Sequence, residues 1–225
     1  MIKINAIWLF SIISFAAVAI ALFLILFFKT KIRGEKFSFL RNFPYEFEKM
    51  YPKAINAFKP LMFALTALAF SPIFFITPLK SDFGDVWFFV IFVTCVFGLS
   101  AITNCLLFFF DASFNKTHII LATIAMCLTF LANVLTVIVS LIVYKENVNR
   151  ALSLTCMIAG IILACVMLVV IFNPNLKNWV KLKKVEANGS ISYERGKIFV
   201  LALSEWITIL VSILGEIVFI ISMIK

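Results

Sequence analysis

Residues 118–144 read HIILATIAMCLTFLANVLTVIVSLIVY and contain no Lys, Arg, Asp or Glu. A helix needs about 20 consecutive apolar residues to cross a hydrocarbon core about 30 Å thick. The apolar character is continuous here, whereas a strand of a transmembrane barrel alternates polar and apolar residues. Because hydrocarbon cannot satisfy backbone N–H and C=O groups, the stretch predicts a transmembrane helix.

Five further runs share this character, and they cover residues 7–28, 61–79, 86–110, 151–172 and 198–224. Over the whole chain 64% of the residues are hydrophobic, against about 45–50% in soluble domains. The first run is longer than the signal-peptide apolar region of about 7–15 residues, so we expect a retained span. The sequence therefore predicts an all-α, polytopic transmembrane helix bundle of about six spans, forming one membrane domain over residues 1–225.

The distribution of basic residues predicts the orientation of this bundle. The connections 29–60, 111–117 and 173–197 fall on one side and carry 15 of the 20 Lys and Arg residues. Cytoplasmic loops are enriched in Lys and Arg, so we expect both long connections in the cytoplasm and both termini outside. The bias toward Phe, Ile and Lys is typical of AT-rich bacterial genomes, and on that basis we expect a plasma membrane.

The connection 29–60 interleaves basic and aromatic residues, of which Phe39, Arg41, Phe43 and Phe47 are the candidates for a binding surface. One interpretation is a docking surface for a cytoplasmic protein partner or for anionic lipid. The other, which we favour, is a connector whose aromatic side chains lie along the membrane plane. The net charge of +9 has the same explanation, since the basic residues flank apolar runs, and we expect no nucleic-acid partner.

The connection 173–197 contains Asn188-Gly189 between the short segments 185–187 and 190–193. Asn-Gly between alternating segments is a strong local signal for a β-hairpin with a two-residue turn. A hairpin of two strands is marginally stable alone in water, so a mobile loop is an equally good interpretation.

Glu205 and Glu216 are the charged residues that lie well inside an apolar run, and both belong to the run 198–224. They are separated by about three helical turns and share one face with Thr208, Ser212 and Gly215. A charged group at mid-bilayer costs at least about 2.5–3.5 kcal/mol, so this stripe is expected to face the bundle interior or a wet cavity. Either the carboxyls bind protons or cations, or they are neutral and hydrogen-bonded across a helix interface.

Asn104 in the run 86–110 and Asn133 in the run 118–144 are further candidates for this polar site. Both could line a pathway together with the Glu stripe. We favour the alternative for these spans, in which weakly polar and small side chains hold helices together, and single out Asn133 for its position near mid-span. Glu216 nears the outer end of its run, where a carboxyl is more often an interfacial group.

The sequence carries no motif of a nucleotide-binding loop, a zinc protease or a serine hydrolase. We therefore predict no metal or cofactor and no enzymatic activity; a lipid-handling intramembrane enzyme, whose catalytic residues can be distant in sequence, is the disfavoured alternative. The single histidine, His118, is expected at the cytoplasmic membrane surface. Two functions fit: a small transporter or transporter subunit with an acidic intramembrane site, or a non-catalytic accessory protein that holds a cytoplasmic partner or anionic lipid.

Overall fold

The computed structural model describes residues 31–32, 35–36, 38–46, 87–107, 110, 115–145, 149–178, 183–187, 190–194 and 198–223. Its four long helices are α1 (Trp87–Leu106), α2 (Asn115–Lys145), α3 (Arg150–Ile171) and α4 (Val200–Ser222). Two short antiparallel pairs accompany them, β1 (Lys31–Ile32) with β2 (Glu35–Lys36) and β3 (Lys183–Ala187) with β4 (Ser190–Glu194). A short 3₁₀ helix, Pro174–Asn178, follows α3.

All four helices are long and apolar enough to cross a membrane. They coincide with the predicted spans 86–110, 118–144, 151–172 and 198–224, which confirms a helical, multi-pass membrane protein. The predicted spans 7–28 and 61–79 lie outside the described residues. The helix α2 begins at Asn115, three residues ahead of the apolar run that starts at His118.

The helices alternate in direction. Phe97 stacks on Phe219 at 5.3 Å between ring centroids, and Ser100 contacts Ser212. The residue number therefore rises along α1 as it falls along α4, so these two helices are antiparallel. The helix α2 packs against the other three. It runs parallel to α4, because His118 contacts Glu205 and, further along both helices, Asn133 contacts Gly215.

Two apolar clusters occupy opposite ends of this bundle. The first surrounds the N-terminal half of α1 and the C-terminal ends of α2 and α4; its members include Val90, Val93, Phe97, Val139, Phe219 and Ile220. The second lies at the other end, with Leu107, Ala122, Met126, Val170, Phe199 and Leu201 among its members. Polar side chains of α1, α2 and α4 lie between the two clusters.

Large apolar side chains also project outward from the helices. Phe88, Ile162 and Val169 have exposed fractions of 68%, 56% and 73%. In water these surfaces would be costly, whereas in a bilayer they contact lipid at no such cost. The same helices thus have an apolar outer surface and a polar layer inside.

The pairing of β3 with β4 confirms the predicted hairpin. Ala187 lies opposite Ser190, so the two residues 188 and 189 connect the strands. The β1–β2 pair, with Ile32 opposite Glu35, was not predicted.

Candidate functional site in the bundle interior

The polar stripe of α4 points into the bundle. Glu205 and Thr208 are fully buried, and Ser212 and Glu216 have exposed fractions of 5% and 2%. Their spacing places them on one face of the helix, and this face contacts α1 and α2. Glu216, which we expected near the outer interface, is as enclosed as the rest.

Glu205 is paired with His118 of α2. The distance from Glu205 Oε1 to His118 Nε2 is 2.8 Å, and both side chains are buried. The second ring nitrogen of His118, Nδ1, lies 2.9 Å from the backbone carbonyl oxygen of Phe110. His118 was expected at the cytoplasmic membrane surface; the structure shows its ring enclosed within the chain, with an exposed fraction of 1%. The helix begins three residues before His118, and a segment of the long connection covers the ring.

That covering segment comprises residues 38–46, and we call it the cap segment. Its turn is held by Glu46, which accepts hydrogen bonds from the Asn42 amide at 3.1 Å and from the Phe43 backbone N–H at 3.0 Å. Two bonds tie it to α4: Phe199 N donates to Leu40 O at 2.6 Å, and Trp206 Nε1 donates to Asn42 O at 2.8 Å.

Two rings of the cap segment pack on the histidine. Phe43 and Tyr45 meet the His118 ring edge to face, at 5.5 and 5.4 Å between centroids. Both residues are buried, with exposed fractions of 2% and 5%. The His118–Glu205 pair is thus separated from solvent by aromatic side chains at this end of the bundle.

A cluster of hydroxyl groups joins α1, α2 and α4 in the middle of the bundle. Ser100 Oγ lies 2.8 Å from Thr129 Oγ1 and 3.2 Å from Ser212 Oγ, and Asn104 Nδ2 donates to Ser100 Oγ at 3.4 Å. All four side chains are buried. A hydroxyl both donates and accepts, so the two hydroxyl–hydroxyl bonds of Ser100 can reverse direction without movement of the helices, whereas the Asn104 amide nitrogen only donates.

Asn133 lies one turn beyond Thr129 and packs against Gly215. Its Nδ2 donates to the Thr129 backbone carbonyl at 2.8 Å. A Cβ atom on residue 215 would collide with the Asn133 amide. The absence of a side chain at Gly215 therefore creates the space that the amide fills between α2 and α4.

Several buried oxygen atoms in this interior have no hydrogen-bond partner within the described ranges. They are Asn104 Oδ1, Asn133 Oδ1, Ser140 Oγ, Glu205 Oε2 and Glu216 Oε1. A buried polar group without a partner costs about 1–3 kcal/mol. Such groups in a protein interior need an explanation. One explanation is a bound ion or water molecule that these oxygen atoms contact.

The predicted binding surface in the connection 29–60 is largely turned toward the bundle. Phe43 is buried against His118 and Phe199, and Phe39 meets Trp206 edge to face at 5.0 Å. Arg41 is exposed. Phe47 lies outside the described residues.

Among the candidate site residues, Glu205, Thr208, Ser212, Asn133 and Asn104 converge on the interior, and Glu216 is buried on the same face of α4. The sequence analysis missed His118 and Ser100. The position of Ser100, one turn before Asn104, was a usable signal, whereas nothing local in the sequence indicated the His118–Glu205 contact.

No three His, Cys, Asp or Glu side chains come together as metal ligands in the part of the chain that the structure describes. No protein-family model matches the sequence, and neither a curated protein nor a solved structure gives a significant match.

Proposed function

We propose that the chain is a small membrane transporter, or a subunit of one, that carries a proton or another cation through the bundle interior. Glu205 and Glu216 are the binding groups in this proposal, and Thr208, Ser212, Asn104 and Asn133 line the path between them. The single observation that carries it is the burial of two carboxyl groups, each with an oxygen that has no partner among the described residues.

Two buried carboxyl groups are costly for a helix bundle, so their presence needs a reason. A bundle held together by packing alone is stable with apolar or small residues at these positions. Two buried carboxyls with unsatisfied oxygens oppose folding, because each unpaired polar atom costs free energy in a water-excluded interior. Ionisable residues inside a membrane are therefore a functional hypothesis by default.

The geometry offers a polar route along α4. The 11 residue steps from Glu205 to Glu216 span about 16 Å at 1.5 Å per residue, roughly half of the hydrocarbon core. The hydroxyl cluster around Ser100 and the amide of Asn133 lie at intermediate positions on this route. We further propose a plasma-membrane location with the cap segment on the cytoplasmic side, because the basic residues concentrate in the long connections.

The test is ion flux through the purified protein in proteoliposomes. A potassium gradient with valinomycin sets the membrane potential, and an internal pH-sensitive dye reports proton entry; sodium and potassium fluxes are recorded separately. We expect Glu205→Gln and Glu216→Gln to reduce the flux to the level of protein-free vesicles. The matched control is Glu186→Gln, a carboxyl-to-amide change on the β3 strand, which should leave the flux unchanged.

Folding must be checked alongside, by helical content and by the elution volume of each variant. If folded wild-type protein carries none of the three ions, the proposed function is wrong. It is equally wrong if both Glu→Gln variants carry the same flux as wild type.

The accessory function has weaker support. It relies on the aromatic residues of the connection 29–60, but Phe43 is occupied by contacts within the chain. A partner at this end would contact the exposed Leu40 and Arg41 instead. Substituting those two residues while recording co-purifying proteins from native membranes tests this function.

A further inference from the structure

We propose that the ion handled at Glu205 is a proton, held jointly by Glu205 and His118, and that the Phe110 carbonyl fixes the tautomer that makes this possible. The inference rests on the proposed function, and it adds the identity of the ion and a second residue that carries it.

The tautomer of His118 follows from the group that its Nδ1 atom contacts. A backbone carbonyl oxygen accepts hydrogen bonds and cannot donate them. Since Nδ1 lies 2.9 Å from the Phe110 carbonyl oxygen, Nδ1 must carry a hydrogen. In the neutral ring the other nitrogen, Nε2, is then an acceptor, and in the charged ring both nitrogens donate.

His118 Nε2 and Glu205 Oε1 are 2.8 Å apart. A hydrogen bond at this distance needs one proton, carried either by Nε2 facing a carboxylate or by the carboxyl group facing a neutral ring. Both arrangements have zero net charge, so both suit a buried site. Loss of this proton would leave a lone pair against a carboxylate, with one uncompensated negative charge.

The contact between His118 and Glu205 is too short to hold an ion larger than a proton between the two atoms. A separation of 2.8 Å is that of a hydrogen bond, and a cation bound directly between the two atoms would hold each at about 2 Å and push them further apart. Within the described ranges, no three His, Cys, Asp or Glu side chains are grouped closely enough to hold a metal ion. The pair therefore takes up or gives away a proton, and the proton leaves by transfer to water or to a neighbouring polar group.

Burial restricts the access of protons to the His118–Glu205 pair. With exposed fractions of 1% for His118 and zero for Glu205, protons from bulk water reach the pair only when the cap segment moves or when water enters from the polar interior. Glu205 Oε2 is buried and has no hydrogen-bond partner among the described residues, so a water molecule that entered the interior would find an acceptor there. Among the described residues, the titratable groups that face the pair include Tyr45 and Glu46 of the cap segment.

The experiment uses the fact that the chain has a single histidine. Full-length protein labelled with ¹⁵N-histidine is reconstituted in lipid bilayers, and both ring nitrogens are followed by NMR as the pH is changed. We expect Nδ1 to stay protonated throughout, while the Nε2 resonance moves over the same pH range in which proton flux changes. In Glu205→Gln the Nε2 resonance should no longer follow that change.

Two variants make the result specific. His118→Gln keeps a hydrogen-bonding group beside Glu205 without a titrating ring, and it should abolish the pH dependence of proton flux. Tyr45→Phe removes the nearby phenol but keeps its ring, and it should leave the Nε2 response unchanged. An unprotonated Nδ1, or an Nε2 that stays constant while flux changes, would overturn the inference.

The two proposals fail separately. If Glu205→Gln abolishes flux but His118 remains static, the proposed function stands and the shared proton does not. If His118 and Glu205 titrate together but no ion crosses the membrane, the shared proton stands and transport does not.

Discussion

Adding one methyl group at Gly215 tests the contact on which the polar layer between α2 and α4 depends. An ideal Cβ atom at this position lies 3.0 Å from both Cγ and Nδ2 of Asn133, and closer still to Oδ1. These separations are too short for ordinary contact. The Asn133 amide cannot simply rotate away, because its Nδ2 donates to the Thr129 carbonyl at 2.8 Å.

The expected size of the effect follows from three contributions. Overpacking of a closely packed interior costs about 1–3 kcal/mol, and loss of the Asn133 hydrogen bond adds about 0.5–1.5 kcal/mol. The greater helix propensity of alanine returns about 0.8–1.0 kcal/mol. Gly215→Ala should therefore lower the free energy of unfolding by about 0.5–4 kcal/mol.

A double-mutant cycle isolates this contact. In the Asn133→Ala background the amide is gone, so Gly215→Ala should be neutral or stabilising by up to about 1 kcal/mol. Equilibrium unfolding in mixed micelles or bilayers, followed by tryptophan fluorescence, gives the four free energies and their coupling. If Gly215→Ala destabilises the protein equally in both backgrounds, the packing of Asn133 on Gly215 is not as described.

Three further predictions concern the cap segment and the start of α3. Trp206→Phe keeps an aromatic ring but removes the indole N–H that donates to the Asn42 carbonyl. The cap segment should therefore dock about 1 kcal/mol less tightly and be cleaved faster by protease, and an unchanged cleavage rate would refute this. Phe43→Ala should expose His118 and raise its reaction with diethylpyrocarbonate above the wild-type level, whereas equal reactivity would show that Phe43 does not shield the ring. Asn149, with φ of 41°, caps α3 through its side chain; Asn149→Ala should therefore cost about 1–2 kcal/mol, whereas Asn149→Gly should cost only a few tenths, as measured by the same unfolding assay.

The four described helices were predictable as spans because crossing a membrane requires length and continuous apolar character, both of which are local properties of the sequence. The same holds for the β3–β4 hairpin, which the Asn-Gly pair indicated through its turn preference. The inward face of α4 followed from helical periodicity once two carboxyls were found on it. These features need no knowledge of which helix packs against which.

The partners across the bundle were not predictable in this way. His118 and Glu205 are 87 residues apart, and their contact depends on where α2 begins and how it lies beside α4. The inward turn of Phe43 likewise depends on the ring of His118, to which no local pattern in the connection 29–60 points.

The most direct test of the account asks whether the buried carboxyls change their protonation state. Infrared difference spectra of the protein in hydrated lipid films, taken between two pH values, report the C=O stretch of protonated carboxyl groups. We predict two such bands, both present in wild type and in Glu186→Gln. One of them should be missing from Glu205→Gln, and the other should be missing from Glu216→Gln. Identical spectra for all four proteins would show that neither carboxyl exchanges a proton, and would contradict a pathway that uses them.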